Sequence, residues 1–349
     1  MSPVNFGGRL IGDGHPAFVI AEAGVNHNGD LELGRALIRE AASAGADAIK
    51  FQSYKAGKIS TKTAPRYWVE PDDPKGSQFD TFKKLDSFGP EEHRELFRYA
   101  KEQGILCFSA PFDDEAVDML DELGAPGFKI ASADLTDYPL LERAASKGKP
   151  VILSTGLATI AEIGEAVSVV RGTGNDQLVL LHCTLQYPCA PENANLRMML
   201  HMKAVFPDIP VGISDHTIGI AVPQAAVALG AVAVEKHFTV DKSLPGSPDH
   251  YLSVDPRNLE EMVAGIRTIE KAMGRYLKGP VEAESQAYKF ARRSIVSKKS
   301  IPRGTSITRD MLTFKRPGTG IYPKHVEVVV GRTAKVDIPE DTVLEWSMI

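Results

Sequence analysis

Eight short apolar, β-branched runs recur between residues 17 and 237, and stretches of helical periodicity lie between most of them. The runs are 17–22, 47–52, 105–109, 126–131, 150–154, 177–183, 209–214 and 232–237. In the segment LELGRALIREAASAG, Leu33, Leu37, Ile38 and Ala41 share one face, as an amphipathic helix requires. Gly45, Gly104 and Gly124 each precede a following run, where helix stops belong. Strand–helix alternation calls for parallel strands joined by crossover helices. Eight such units in under 280 residues predict an α/β fold, a (β/α)8 TIM barrel. An open doubly wound sheet is the alternative. It is weakened by the lack of a G-x-G-x-x-G turn after the first run.

The chain has 349 residues, room for one large domain and a small one. Charge divides it. Residues 292–349 hold eleven Lys/Arg against six Asp/Glu, a net of +5, whereas residues 1–291 carry −10. This break predicts a barrel over 1–280, a linker over 281–291 and a small domain over 292–349. Within the small domain, IPRGTSITRDML (301–312) aligns with IPEDTVLEWSMI (338–349). Two copies of one turn-and-strand unit predict a β-rich domain with internal pseudosymmetry. Fewer than 60 residues make a small core, so this domain is expected to lean on another surface. The segment 53–89, with Pro65, Pro71, Pro74 and Gly76, reads as a long loop inserted between the second run and its helix, functional or mobile.

A net charge of −5 gives no basic footprint for nucleic acid. No apolar stretch is long enough to span a bilayer, so no membrane role is expected. No basic-then-apolar leader opens the sequence, and Cys107, Cys183 and Cys189 match neither a disulfide framework nor a zinc ribbon. A reducing cytoplasm is the expected compartment.

Polar residues collect at the C-terminal ends of the runs: Glu22, Lys50 and Gln52, Ser109, Lys129 and Ser132, Ser154 and Thr155, His182 and Thr184, Ser214 to His216, and Glu235 to His237. In a barrel these ends meet on the face where active sites are built. Any one of them alone reads as a solvated strand end. The same pattern on all eight strands favours a site. His216 and His237 end the last two strands and could share one ion, completed by water and substrate oxygens; two unrelated histidines are the alternative. Lys50 and Lys129 sit inside apolar runs, and two ammonium groups in one mouth form an anion site. A single Schiff-base lysine is the alternative. Glu22 and Asp134 are the acid–base candidates, with Asp134 alternatively the N-cap of the next helix.

Ten segments then carry a family resemblance: FVIAEAGVNHNGD (18–30), GADAIKFQSYKA (45–56), FSAPFD (108–113), FKIAS (128–132), ILSTG (152–156), LLHCTLQYP (180–188), GISDHT (212–217), EKHFTVDKSLPG (235–246), PDH (248–250) and KRPGTGI (315–321). The chain resembles the sialic acid synthases, nonulosonic acid synthases that condense phosphoenolpyruvate with an N-acetylated hexosamine. The tail resembles their antifreeze-protein-like (SAF) domain, which implies a domain-swapped homodimer. By this resemblance His216 and His237 hold a divalent metal, Mn2+ first, with Mg2+ or Co2+ as alternatives. Lys50, Lys129, Ser132 and Ser214 hold phosphoenolpyruvate; Ser109 and Thr184 are expected as further substrate contacts from their strand-end positions. Glu22 stands near the reacting carbons. Gln52, Tyr187 and Asp249 line the sugar side, and Arg316 is offered to the sugar's acyl group by a partner subunit.

Three departures from the family pattern stand out. The run Ser132-Ala133-Asp134 stands where several members carry Ser-Gly-Glu, Ala110 stands where some carry a threonine, and PGSPDH (245–250) is one residue longer than the family's PGPDH. The last lies beside the sugar, so the acceptor stays open. N-acetylmannosamine, its 6-phosphate, and 2,4-diacetamido-trideoxy hexoses leading to legionaminic or pseudaminic acids all fit. Two rival functions are a metal-free Schiff-base aldolase on Lys129 and a carbohydrate-binding protein with an inactive barrel.

Overall fold

The computed structural model describes residues 2–68 and 75–349. The chain divides into two compact units, Met1–Gly274 and Arg275–Ile349. The first begins with an antiparallel hairpin, β1 (Val4–Phe6) and β2 (Arg9–Ile11). Eight parallel strands follow: β3 (Phe18–Gly24), β4 (Ala48–Ser53), β5 (Leu106–Pro111), β6 (Phe128–Ile130), β7 (Val151–Ser154), β8 (Leu178–Cys183), β9 (Val211–Asp215) and β10 (Ala233–His237). They form one sheet in the order β5-β4-β3-β10-β9-β8-β7-β6, and β5 and β6 lie side by side to close the ring. The expected TIM barrel is therefore the observed one, and each strand overlaps its predicted run.

Side-chain parity explains what the barrel holds. Alternate residues of a strand face opposite sides. Val19, Ala21, Ile49, Cys107, Phe128, Ile130, Leu153, Leu180, Ile213 and Val234 face the helices in the main core. Phe18, Ile20, Ala48, Phe108, Ile152, Val179, Leu181 and Ala233 fill the barrel interior, capped from below by Val4, Phe6 and Ile11 of the hairpin. The hairpin is thus a plug for the N-terminal end. Continuing the interior parity toward the strands' C-terminal ends gives Glu22, Lys50, Gln52, Lys129, Ser154, Cys183, Ser214, Glu235 and His237. The interior turns from apolar to polar as it rises.

The segment 53–89 is not a plain loop. It contains helices Ala56–Ile59 and Gln78–Leu85, the second started by Ser77 in a capping box with Asp80. Pro71 and Pro74 lie outside the described residues.

The second unit pairs β11 (Ser294–Ser297) with β12 (Leu312–Lys315), antiparallel. Residues 281–291, expected as a linker, carry a short helix, Ser285–Phe290, and group with this unit. The sequence repeat is a structural one. Ile301 and Ile338 exchange both backbone hydrogen bonds, at 2.8 and 2.9 Å. The equivalent 3-10 turns are Arg309–Met311 and Trp346–Met348. Ile301 with Ile338, Ile307 with Leu344, and Leu312 with Ile349 are matched positions in one core.

Candidate active site

The polar layer at the C-terminal mouth of the barrel opens into a cavity lined by residues of all eight strands or the loops that follow them. Its floor is a buried charge network. Lys50 Nζ lies 2.9 Å from Glu22 Oε2 and 3.5 Å from Glu235 Oε2, and Lys129 Nζ lies 3.3 Å from Glu235 Oε1. Strand register makes these neighbours: Glu22 sits opposite Lys50, and Glu235 opposite Ser214. Ser214 Oγ donates to Glu235 Oε1 at 2.9 Å, and Gln52 Nε2 donates to Glu22 Oε1 at 3.0 Å. All four charged side chains are at most 5% exposed.

Burial and neighbours set the protonation states. Burial pushes the Glu22 carboxyl up to about 7, with Glu235 adding to the rise and Lys50 opposing it. Burial acts the same way on Glu235, but Lys129 and Lys50 outweigh it and hold this carboxylate low. Burial lowers Lys129 despite Glu235, while Lys50 is held high by its two carboxylates. Two ammonium groups thus face one firmly ionised carboxylate and one that titrates near neutrality.

Donors left over point to an anion. Ser154 Oγ is buried with no hydrogen-bond partner. Ser132 Oγ accepts from Gly156 N at 2.9 Å, and its own proton can go to the Cys183 sulfur beside it or to an anion. A Cβ on Gly156 would sit 2.8 Å from that hydroxyl, so glycine is required there. Lysines and hydroxyls together form a cradle for a phosphate or carboxylate.

His216 and His237 face each other across β9 and β10, with ring centroids 5.3 Å apart. His216 Nδ1 bonds the Thr184 carbonyl at 2.9 Å, which directs its other nitrogen elsewhere, as for a metal-bound imidazole. His237 Nδ1 is buried without a hydrogen bond, 3.7 Å from Asp249 Oδ2. Burial, with His216 and Lys50 nearby, keeps His237 neutral. No group of three or more His, Cys, Asp or Glu side chains among the described residues could hold a metal. Two facing imidazoles beside a carboxylate fit an open ion site that water and substrate complete. Tyr187 packs on His216 at 4.1 Å between centroids. Burial pushes the Asp249 carboxyl up to about 6.

Some predicted site residues lie elsewhere. Ser109 has the outward parity, and its Oγ meets Ser53 Oγ at 2.7 Å, which in turn meets His93 Nε2 at 2.8 Å. It joins strand to helix and does not face the cavity. The Thr184 hydroxyl donates to Asn193 O at 2.9 Å, so its contribution is the carbonyl that orients His216. Asp134 is not among the cavity-lining residues. Burial and Asp137 raise its carboxyl to about 7, and one of its oxygens has no partner. It is not the helix N-cap either; Asp137 takes that place, accepting from Leu140 N. Arg316 is exposed in the second unit. Two cavity residues to which the sequence assigned no role are Glu235, named there only as a polar strand end, which joins both lysines, and Cys183, 3.9 Å from His216 Nδ1. Both share parity with predicted neighbours, a signal the sequence contains.

The longer loop has its own anchor. Asn28 Nδ2 donates to Pro245 O at 2.8 Å, and Asn28 Oδ1 accepts from Ser247 N at 2.9 Å. The additional residue, Ser247, receives the Asp249 N–H on its hydroxyl at 3.2 Å.

Residues 37–278 match the NeuB family model, and residues 292–349 match the SAF domain model. The chain belongs to the NeuB family. The N,N'-diacetyllegionaminic acid synthase of Legionella pneumophila is 40% identical to this NeuB protein, over 97% of its chain and 96% of the relative. The human N-acetylneuraminate-9-phosphate synthase is 38% identical, over 97% and 94%. Among solved structures, the N-acetylneuraminic acid synthetase of Leptospira borgpetersenii, bound to citrate, has a TM-score of 0.73 and 37% identity. It covers 82% of this chain and 95% of its own.

Proposed function

We propose that this NeuB protein is a nonulosonic acid synthase, a transferase that joins phosphoenolpyruvate to an N-acylated hexosamine and releases phosphate. The observation that carries the reading is one cavity holding both a two-lysine anion cradle and a pair of facing imidazoles. Lys50, Lys129, Ser132, Ser154 and Ser214 bind the phosphate and carboxylate of phosphoenolpyruvate. Gln52, Tyr187 and Asp249 face the acceptor. His216 and His237 would hold a divalent ion, Mn2+ before Mg2+ or Co2+, which supplies Lewis-acid polarisation of the aldehyde oxygen. The C3 carbon of phosphoenolpyruvate attacks the aldehyde carbon, water adds at C2, and the tetrahedral intermediate expels phosphate. Lys50 and Lys129 offset the charge that develops on the leaving group. Glu22 takes the proton of the attacking water. Asp134 is the weaker candidate, since it lies off the cavity.

The test is phosphate release and product mass with Mn2+, phosphoenolpyruvate and a panel of hexosamines. The panel holds N-acetylmannosamine, its 6-phosphate, and 2,4-diacetamido-2,4,6-trideoxymannose. Phosphate release that stops in EDTA supports the reading and removes the Schiff-base aldolase. No release with any acceptor overturns it and leaves the sugar-binding alternative.

Glu22 must be ionised to act as a base, so its carboxyl near 7 predicts an acidic limb. Log kcat/KM is expected to fall by about one unit per pH unit below roughly pH 7. The limb should vanish in the residual activity of Glu22→Gln and persist in Asp134→Asn. The opposite pair of results assigns the base to Asp134.

We further assign the working form to a swapped homodimer in which Arg316 of one subunit serves the other's cavity. The cytoplasm is its compartment. Three unpaired buried cysteines suit reducing conditions, and no helix among the described residues is long and apolar enough to cross a membrane.

A further inference from the structure

The cavity has an apolar flank that the chemistry above does not use. Val25, Tyr54 and Leu85 form a small buried cluster with Phe82 and Phe112 packed against it, and all five line the cavity. The Tyr54 ring meets Phe82 at 5.5 Å and Phe112 at 5.8 Å, and Phe82 meets Trp68 at 5.8 Å. Trp68 also lines the cavity, and its Nε1 is buried without a hydrogen-bond partner. An indole N–H is a donor only. Left unpaired away from water it costs free energy, so its natural complement is a ligand oxygen.

We propose that Trp68 and this flank form a subsite for an N-acyl arm of the acceptor. The indole N–H donates to the acyl carbonyl oxygen, and the apolar cluster takes the methyl group. The acylamino group has these two features side by side. A sugar hydroxyl offers an acceptor but leaves the apolar surface unfilled, and a phosphate would lose its hydration against aromatic rings. The assignment rests on the reading of the acceptor as an acylated hexosamine and names the part of the cavity that selects it.

Two measurements test it. Trp68→Phe keeps an aromatic ring and deletes the donor. It is expected to raise KM about fivefold for N-acylated acceptors, the size of one neutral hydrogen bond, with KM for phosphoenolpyruvate unchanged. An equal KM for Trp68→Phe and wild type, or an equal rise for acylated and non-acylated sugars, overturns the proposal. The second measurement needs no turnover. The chain has two tryptophans, so Trp346→Phe leaves Trp68 as sole reporter. N-acetylmannosaminitol and the alditol of 2,4-diacetamido-2,4,6-trideoxymannose lack the aldehyde and cannot react. With Mn2+ and phosphoenolpyruvate present, one or both should change Trp68 emission saturably, and mannitol should not. No response to either alditol, or an equal response to mannitol, overturns the proposal. A response without phosphate release from any hexosamine sinks the synthase and keeps the subsite. Phosphate release with a silent Trp68 does the reverse.

Discussion

Lys129→Met is expected to lower kcat/KM by about 10²- to 10³-fold, the loss typical when one preorganised donor to a developing charge is removed. Its folding stability should stay level or rise. The reason is an imbalance of charge on the cavity floor. Lys50 and Lys129 are both buried, and each disfavours the other's charge. They face Glu235, held ionised, and Glu22, whose carboxyl titrates near 7. Removing Lys129 still leaves Glu235 with Lys50 at 3.5 Å and the Ser214 hydroxyl at 2.9 Å. No buried carboxylate is stranded, and one desolvated ammonium is gone. Steady-state kinetics beside thermal unfolding check both halves. A kcat/KM within tenfold of wild type would remove Lys129 from the anion cradle. A fall in Tm beyond about 5 °C would mean that the lysine is structural. The same variant tests Arg316. Mixed with Arg316→Ala under conditions of subunit exchange, it should regain part of the activity, because exchanged dimers then contain one intact barrel beside one intact arginine. No recovery despite proven exchange counts against the swapped arrangement.

Much of this site was legible in the sequence once the barrel was. Alternation between strands and helices placed eight C-terminal strand ends on one face, and Glu22, Lys50, Gln52, Lys129, Ser214 and His237 all line the cavity there. Position at a strand end was a coarser signal than parity, however. Ser109, His182, Asp215 and Lys236 are as polar and as close to strand ends, yet each stands one residue out of phase with the interior set and faces the helices. His182 Nε2, for example, bonds Ala194 O at 2.8 Å. Counting in twos from Phe18, Ala48, Phe108, Val179 and Ala233 separates the two groups and also finds Glu235 and Cys183. The N-terminal plug had a signal as well, the Gly7-Gly8 pair between VNF and RLI, since Gly-Gly between short apolar runs marks a hairpin turn. Both glycines have positive φ, 59° and 89°. The Trp68 flank had none. Tyr54, Phe82 and Phe112 come from a strand's end, a loop helix and another strand's end, and only the fold brings their rings together.

Lys236→Met is expected to destabilise the barrel by about 3–5 kcal/mol, the usual result of stripping one partner from a buried ion pair. In a unit of this size that lowers Tm by roughly 6–10 °C. Lys236 Nζ lies 2.6 Å from Asp215 Oδ2, with the side chains 1% and 3% exposed. The ammonium also donates to the Thr217 carbonyl. Asp215 accepts from Thr217 N at 3.1 Å and from its hydroxyl at 2.8 Å. Methionine fills much of the lysine's volume and leaves the Asp215 carboxylate with two donors in place of a cation. Replacing both partners, Lys236→Met with Asp215→Leu, removes the stranded charge, so the double variant should recover most of the lost stability. A single-variant Tm within about 2 °C of wild type, or a double variant no better than the single, would show that the pair is not what holds β9 to β10 at this end. The position of the pair gives the experiment a second readout. Asp215 lies between Ser214 and His216, and Lys236 between Glu235 and His237. One outward pair thus pins the two strand ends whose inward neighbours form the imidazole site. A looser pair lets those rings drift, and metal sites tolerate little drift. Mn2+ affinity, read by electron paramagnetic resonance on the folded single variant, should therefore fall at least about tenfold, the lower end for losing a supporting contact. Unchanged affinity in a destabilised protein would confine the pair to the barrel wall.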